Sequence, residues 1–341
     1  MIWLSWRQVR TQVLVVCGLV LTAVLALALT GPRLAHLASR TTNVYDLLTP
    51  HDRLLFNAGL AVVAVAPALI GAFWGAPLVA RELETGTHRL VWNQSVTRTR
   101  WLATKLGVGA LATVVAVGAL SLAVTWWAKP LDGSTSSTRG SLPSRLTPIS
   151  FAMRGMVPVG YAVFALVLGV TVGLLLRRTV PAMAVTLAVY VCVQVAVPLW
   201  IRPHLLPPTS ASIVYSPSTF DGIEANPGQP LRISVHTGNH GDWILQDTTW
   251  NAQGEPSTLP SWFTACLPGP PQPGQAQRGS VSRDDLDVCL ARLTSEGYRQ
   301  HVVYQPASRF WPLQWAETGL YVGASALLTG CCFWWIRRRL S

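Results

Sequence analysis

The residues best suited to chemistry are concentrated in one short segment, 81–105, which is charged and of mixed sign within an otherwise apolar sequence. Glu82 and Glu84 open this segment, and arginines follow them at close spacing. The sequence contains no nucleophile elbow, no His-Glu-x-x-His zinc motif and no Gly-x-Gly-x-x-Gly dinucleotide motif. We therefore predict no catalytic residue and no metal site in this chain.

Nucleotide binding can also be judged from the sequence. A Walker A loop places a lysine directly after a glycine and before a serine or threonine. The two lysines of the chain, Lys105 and Lys129, follow Thr104 and Ala128. The chain therefore has no standard P-loop, and we predict that it binds no cofactor of its own. If its function uses ATP and Mg²⁺, a partner chain must bind them.

The elements that position this segment are predicted from the distribution of charge. Of the 341 residues, 50% are hydrophobic and only 12% are charged, whereas a soluble domain has about 25% charged residues. Six stretches carry no charged residue, and each is long enough to cross a bilayer as a helix. They comprise residues 13–30, 54–80, 106–128, 155–176, 179–201 and 318–336. We predict an all-α polytopic membrane protein with six transmembrane helices.

Basic residues predict the orientation of these helices. With the N-terminus inside, the cytoplasmic segments carry twelve basic residues and the two short external loops carry seven, which is the asymmetry typical of cytoplasmic termini. Residues 1–12 are predicted to form an amphipathic interfacial helix that leads into a retained first span, with a cleaved signal peptide as the alternative. Residues 337–341 form a basic cytoplasmic tail. The inner-face charge suits anionic membrane lipids rather than nucleic acid.

The long segment 202–317 is predicted to be an extracytoplasmic α+β domain between the fifth and sixth helices. Residues 231–236 and 243–249 alternate between apolar and polar types, which predicts two strands joined by a glycine-rich turn. Cys266 and Cys289 both lie in this domain, and two cysteines in an oxidising compartment indicate a disulfide.

Other residues of the same region have simpler interpretations. A helix is predicted with Leu290 on its apolar face and Gly297 at its end. His236 and His240 have the i, i+4 spacing of a metal pair, but the glycines around them interrupt any helix, so a hairpin turn is favoured. We expect Glu317, at the edge of the sixth span, to be an interfacial residue that reaches water.

Segment 81–105 has two interpretations. It is either a solvated connector whose arginines extend towards lipid phosphates, or a docking element in which a short helix of mixed charge contacts a partner. The segment itself, RELETGTHRLVWNQSVTRTRWLATK, resembles the inner loop of type-2 exporter permeases of ATP-binding-cassette (ABC) transporters, most closely those of high-GC Gram-positive bacteria. The opening MIWLSWRQVRTQ and the run YQPASRFWPLQWAETGL before the last span are similar to the same group.

The resemblance implies that two six-span halves pair, either two copies of this chain or this chain and a sibling permease. It also implies that each half binds a separate cytoplasmic ABC ATPase subunit, which holds ATP and Mg²⁺. The substrate path would lie between the halves, lined by the second and fifth spans. Prolines would bend these spans to open the path, or would form ordinary packing kinks: Pro67, Pro77, Pro181 and Pro198. The ATPase-coupling residues would be Arg81, Glu82, Glu84, Thr85, Gly86, Thr87, Arg89 and Arg98.

We therefore expect a permease subunit, without enzymatic activity of its own, in the bacterial plasma membrane. Because the spans carry no charged lining, an exported amphipathic or hydrophobic small molecule or lipid is the expected cargo. The alternative is a membrane-anchored sensor or scaffold whose extracytoplasmic domain binds a ligand. An intramembrane enzyme is disfavoured, since no paired carboxylates or nucleophile constellation occur in the spans.

Overall fold

The computed structural model describes residues 2–40, 49–87, 97–132, 145–224, 230–235, 237, 241–266 and 283–339. The chain divides into two compact units. The first, here the helical unit, comprises Met1–Leu206 and Phe310–Ser341. The second, here the sheet unit, comprises Pro207–Arg309.

Six helices in the described part of the chain are long and apolar enough to cross a membrane, as predicted. We number them as spanning helices one to six. Their bounds are Ile2–Ala38, Pro50–Glu84, Arg98–Ala128, Val157–Leu176, Thr179–His204 and Phe310–Arg339. The short helix Pro148–Ala152 precedes the fourth. In spanning helices two and five, the α-helix contains a π-helical segment, at Ile70–Gly75 and Val197–Ile201 respectively.

Local sequence explains where these helices begin and end. The second begins with a capping box, in which the Thr49 side chain and Asp52 bond reciprocally to backbone N–H groups. Thr97 caps the third, because its hydroxyl accepts a hydrogen bond from the Arg100 backbone N–H at 3.3 Å. The fourth ends at Leu176, the next residue Arg177 has a left-handed φ of 54°, and the fifth starts at Thr179.

The fourth spanning helix lies at the centre of the helical unit and packs against helices two, three, five and six. Its contact with the second is close because both helices carry glycines at the crossing. A Cβ placed on Gly169 would lie 2.3 Å from the carbonyl oxygen of Gly71, and one on Gly173 would lie 2.7 Å from that of Ala76. Side chains are therefore excluded here, and the two backbones touch.

The sheet unit contains a three-stranded antiparallel sheet in the order β1-β5-β4 and a two-stranded sheet, β2-β3. The strands are β1 Thr209–Ile213, β2 Phe220–Glu224, β3 Arg232–Val235, β4 Trp243–Trp250 and β5 Arg299–Gln305. The helix Arg283–Ser295 contributes Leu290 and Leu293 to their apolar core. A disulfide joins Cys266 to Cys289 of that helix.

The predicted pairing within this unit is wrong in one respect. Segments 231–236 and 243–249 do contain strands, but β3 pairs with β2, and β4 pairs with β5. Seven residues separate Val235 from Trp243, and seven also separate Glu224 from Arg232, so the length of the connection does not decide which strand pairs with β3. The predicted helix is confirmed, and Gly297 beyond its end has a φ of 83°. His236 and His240 lie outside the described residues.

A buried polar cluster joins strands β4 and β5 to Tyr215. The Tyr215 hydroxyl donates to Gln300 Oε1 at 2.6 Å, and the Thr249 hydroxyl donates to the same oxygen at 3.0 Å. Burial raises the pKa of Tyr215 to about 12, so the hydroxyl keeps its proton and remains a donor at physiological pH. The cluster satisfies polar groups that burial would otherwise make costly.

Candidate functional site

The candidate site begins at the last turn of the second spanning helix. The Thr85 hydroxyl donates to the backbone carbonyl of Arg81 at 2.8 Å, which closes the helix end. Gly86 follows with a φ of 71°, a conformation that favours glycine because a Cβ would be strained there. Arg89 lies outside the described residues.

Glu82 joins this helix end to the third spanning helix. Its carboxylate accepts hydrogen bonds from Lys105 Nζ at 2.6 Å and from Trp101 Nε1 at 3.2 Å. Lys105 is 7% exposed, donates also to the Leu78 carbonyl at 2.9 Å, and lies over the Trp101 ring. The charge pair is therefore shielded from water and holds the two helices at a defined spacing.

Glu84 joins the same helix end to the fifth spanning helix. Its Oε2 atom accepts two hydrogen bonds from Thr179, from the backbone N–H at 2.9 Å and from the hydroxyl at 2.6 Å. Thr179 is the first residue of the fifth helix. Glu82 and Glu84, two positions apart, consequently point to different helices, since residues two apart lie on different faces of an α-helix.

The other residues of the predicted coupling set differ in how far their side chains are exposed. Arg81, Thr85 and Thr87 are exposed, and Gly86 is half-buried. Arg98, also half-buried, begins the third helix. The structure thus brings the residues of 81–87 together on one helix end, and four of them are exposed: Arg81, Glu84, Thr85 and Thr87.

The two spanning helices with π-helical segments are the second and the fifth, and a proline lies in or near each segment. Pro67 precedes Ile70–Gly75 by three residues, and Pro198 lies within Val197–Ile201. Both positions fit local departures from regular helix geometry. Pro181 lies in the first turn of the fifth helix, where a proline removes no intrahelical hydrogen bond, so it is not a bend.

At the opposite end of the helical unit, Arg202 and Glu317 form an ion pair. Both side chains have zero exposure, and Arg202 Nε and Nη2 donate to the two carboxylate oxygens at 2.7 and 2.9 Å. The Tyr161 hydroxyl donates to Glu317, and Arg202 also donates to the Pro148 carbonyl at 3.1 Å. The pair therefore ties spanning helices four, five and six together.

The expectation that Glu317 reaches water is wrong. Arg202, the partner of Glu317, lies 115 residues earlier in the chain, so the sequence does not indicate the pair. A carboxylate at the end of an apolar helix, with no partner nearby in the sequence, is typical of a lipid–water boundary. A buried carboxylate needs a cation and further donors to offset its lost hydration. Arg202 and Tyr161 supply both, as the described geometry shows.

Sequence reasoning also missed Lys105 and Thr179 as partners of the predicted loop. The predicted loop 81–105 includes Lys105, whereas in the structure Lys105 lies within the third helix, which begins at Arg98. The sequence does offer one indication for Lys105. It is one of only two lysines in the chain, and an apolar run follows it directly. Thr179 carried no signal, since a threonine at a helix start is common.

No group of three or more His, Cys, Asp or Glu side chains suited to a metal ion occurs among the residues that the structure describes. The candidate site thus consists of carboxylates that bond within the chain, exposed side chains beside them, and apolar helices behind them. Such an arrangement can transmit a displacement from a loop to several helices.

These features define a multi-pass membrane protein whose charged loop is anchored to its spanning helices. Residues 11–202, more than half of the chain, match the family described as "ABC-2 membrane transporter related". The chain belongs to that family, and it is therefore a membrane transport component of the ABC-2 permease type. The matched region contains segment 81–105 and ends before the sheet unit. No curated protein and no solved structure matches the chain.

Proposed function

We propose that this chain is the permease subunit of an ABC exporter, and that a separate cytoplasmic ATPase drives it by docking on the loop after the second spanning helix. Family membership supports a permease with an ABC ATPase partner in general. The docking position is the further step. The observation that carries it is the anchoring of the loop start by Glu82 and Glu84 to two other helices.

The anchoring matters because a docking element has to transmit force. A solvated connector would have side chains that bond only with water, whereas Glu82 and Glu84 are engaged with the third and fifth helices. Arg81, Thr85 and Thr87 remain exposed beside them. A partner that contacts the exposed side chains would displace the anchored ones, and with them the helix ends.

The second and fifth spanning helices would line the substrate path. Their π-helical segments at Ile70–Gly75 and Val197–Ile201 support this assignment, since such segments occur often at functional sites. The fifth helix exposes apolar side chains along its length, including Val185 and Leu199. A path with such a surface favours an amphipathic or hydrophobic cargo, such as a lipid, moved outwards between two paired permeases.

The termini would be cytoplasmic, and the sheet unit would be the extracytoplasmic domain. This orientation follows the excess of basic residues in segment 81–105 and the tail, with the ATPase on the same side. A disulfide between Cys266 and Cys289 fits an oxidising compartment.

The test is assembly with the ATPase encoded beside the chain in its genome. The two are co-expressed, purified through a tag on the permease, and assayed for ATP hydrolysis in proteoliposomes. Arg81→Glu combined with Arg89→Glu should lower co-purification at least about tenfold, since reversed charges oppose a complementary surface. Arg299→Glu, an exposed arginine of the sheet unit, is the control. Undiminished co-purification and hydrolysis in the double variant would contradict the docking position.

Cargo class requires its own assay. Proteoliposomes containing the complex and a fluorescent phospholipid analogue are mixed with ATP, and dithionite then quenches the outer leaflet. An ATP-dependent change in the quenched fraction supports a lipid-like cargo. Equal quenching with and without ATP, together with ATP-dependent uptake of a water-soluble dye, would contradict it.

A further inference from the structure

Glu84 forms its hydrogen bonds within the chain, at the start of the fifth spanning helix. The first backbone N–H groups of any helix lack partners within that helix. Arg178, at the N-cap position, provides no side-chain hydrogen bond. The Glu84 carboxylate accepts from both the N–H and the hydroxyl of Thr179, and its negative charge suits the positive end of the helix dipole. The cap of the fifth helix thus comes from the end of the second.

The start of the fifth helix has little else to hold its polar groups. Val180, the next residue, is 75% exposed, and Thr179 is half-buried. The two-residue link from the fourth helix, Arg177–Arg178, is exposed on both residues. The hydrogen bonds to Glu84 are therefore a specific polar connection between segment 81–87 and the fifth helix.

We propose that Glu84 is a positioning residue that transmits displacement of the coupling loop to the fifth spanning helix through its cap on Thr179. This inference rests on the proposed function. On this proposal the two carboxylates at the start of the loop have separate roles. Glu82 keeps the second and third helices together through Lys105, while Glu84 moves the fifth, one of the two helices proposed to line the path.

Cys192 provides a native reporter of the fifth helix, because its thiol is free and is not buried among the spanning helices. The complete complex of permease and ATPase is treated with N-ethylmaleimide, with and without ATP. Modification of Cys192 is then quantified by peptide mass spectrometry, which separates it from the other cysteines. In the wild-type complex the labelling rate of Cys192 should change on addition of ATP.

Paired variants separate transmission from general damage. Glu84→Ala removes both hydrogen bonds of the cap and Thr179→Val removes one, so both should reduce the ATP-dependent change in labelling about threefold or more. Glu84→Gln and Thr179→Ser keep an acceptor and a hydroxyl, so both should retain the response. Val180→Ala, at an exposed position of the same turn, is the matched control. All variants should still co-purify with the ATPase.

Several outcomes would overturn the inference. One is a full ATP response in Glu84→Ala, and another is loss of ATPase binding in that variant, which would make Glu84 a docking contact. Labelling of wild-type Cys192 that ignores ATP would show that the fifth helix does not respond near this residue. Failure of the wild-type permease to bind any ATPase would instead refute the proposed function.

Discussion

The ion pair between Arg202 and Glu317 makes a sharp prediction about stability. Glu317→Gln changes a carboxylate into an amide of nearly the same shape. The amide oxygen still accepts from Tyr161, but Arg202 keeps its charge with no anion within reach among the contacts described for it. Because both side chains have zero exposure, water cannot compensate in the folded state. The substitution therefore leaves a buried, unpaired cation.

The magnitude follows from the cost of breaking a buried pair. Removal of one partner costs about 3–5 kcal/mol, which is a large fraction of the roughly 5–15 kcal/mol that stabilises a folded domain. With about 2–4 °C per kcal/mol for a unit of this size, even the lower estimate predicts a fall of about 6–12 °C in apparent Tm. Replacement of both residues, Arg202→Met with Glu317→Leu, removes the uncompensated charge, so the double variant should melt above the single variants Arg202→Met and Glu317→Leu.

The detergent-purified chain is heated to a series of temperatures, and size-exclusion chromatography then measures how much soluble, folded protein remains at each one. Glu255→Gln is the matched control, since Glu255 is exposed in the sheet unit, and its Tm should equal that of the wild type. A Glu317→Gln variant that melts within about 2 °C of the wild type would refute the reasoning. So would a double variant that melts below both single variants.

Two further predictions concern the helix contacts. Gly169→Ala should strongly reduce the yield of folded protein, because its Cβ would lie 2.3 Å from the Gly71 carbonyl oxygen. Gly319→Ala is the control, since its Cβ would meet nothing within 4 Å and the variant should fold normally. Equal yields of the two variants by fluorescence size-exclusion chromatography would contradict the close crossing. Lys105→Met should lower the apparent Tm by removing the cation bonded to Glu82, and an unchanged melting curve would contradict that role.

The number of spanning helices could be predicted from the sequence because the physical constraint is severe. A stretch such as 54–80 has no charged residue. Inside a bilayer its backbone N–H and C=O groups have no water to bond, so the stretch must form a helix that satisfies them internally. The structure adds local features that periodicity does not report. The π-helical segment Ile70–Gly75 in the second helix is one, and the close approach of Gly169 to that segment is another.

Side-chain partners could not be predicted, because they join residues far apart in the chain. Glu84 meets Thr179 across 95 positions, and Arg202 meets Glu317 across 115. Each residue alone is compatible with exposure, and only the packing of the helices brings the partners together. The error for β3 has a different origin, because β3 pairs with β2, the strand just before it in the chain, and the sequence pattern predicts no strand at β2.

The membrane part of the chain belongs to a family of transport components, whereas the sheet unit lies outside the matched region. Segment 81–105 lies within that region, and its start is bonded to two other spanning helices. We propose that the ATPase contacts this segment.

A photo-crosslinking amino acid at Thr87 tests the claim most directly, because Thr87 is exposed beside Gly86. Irradiation of cells that express the permease with its ATPase should yield an adduct with the mass of the two chains together. The same amino acid at Glu255 of the sheet unit should yield none. If the complex purifies and hydrolyses ATP while Thr87 gives no adduct and Glu255 does, the ATPase does not dock on this loop, and the account is wrong.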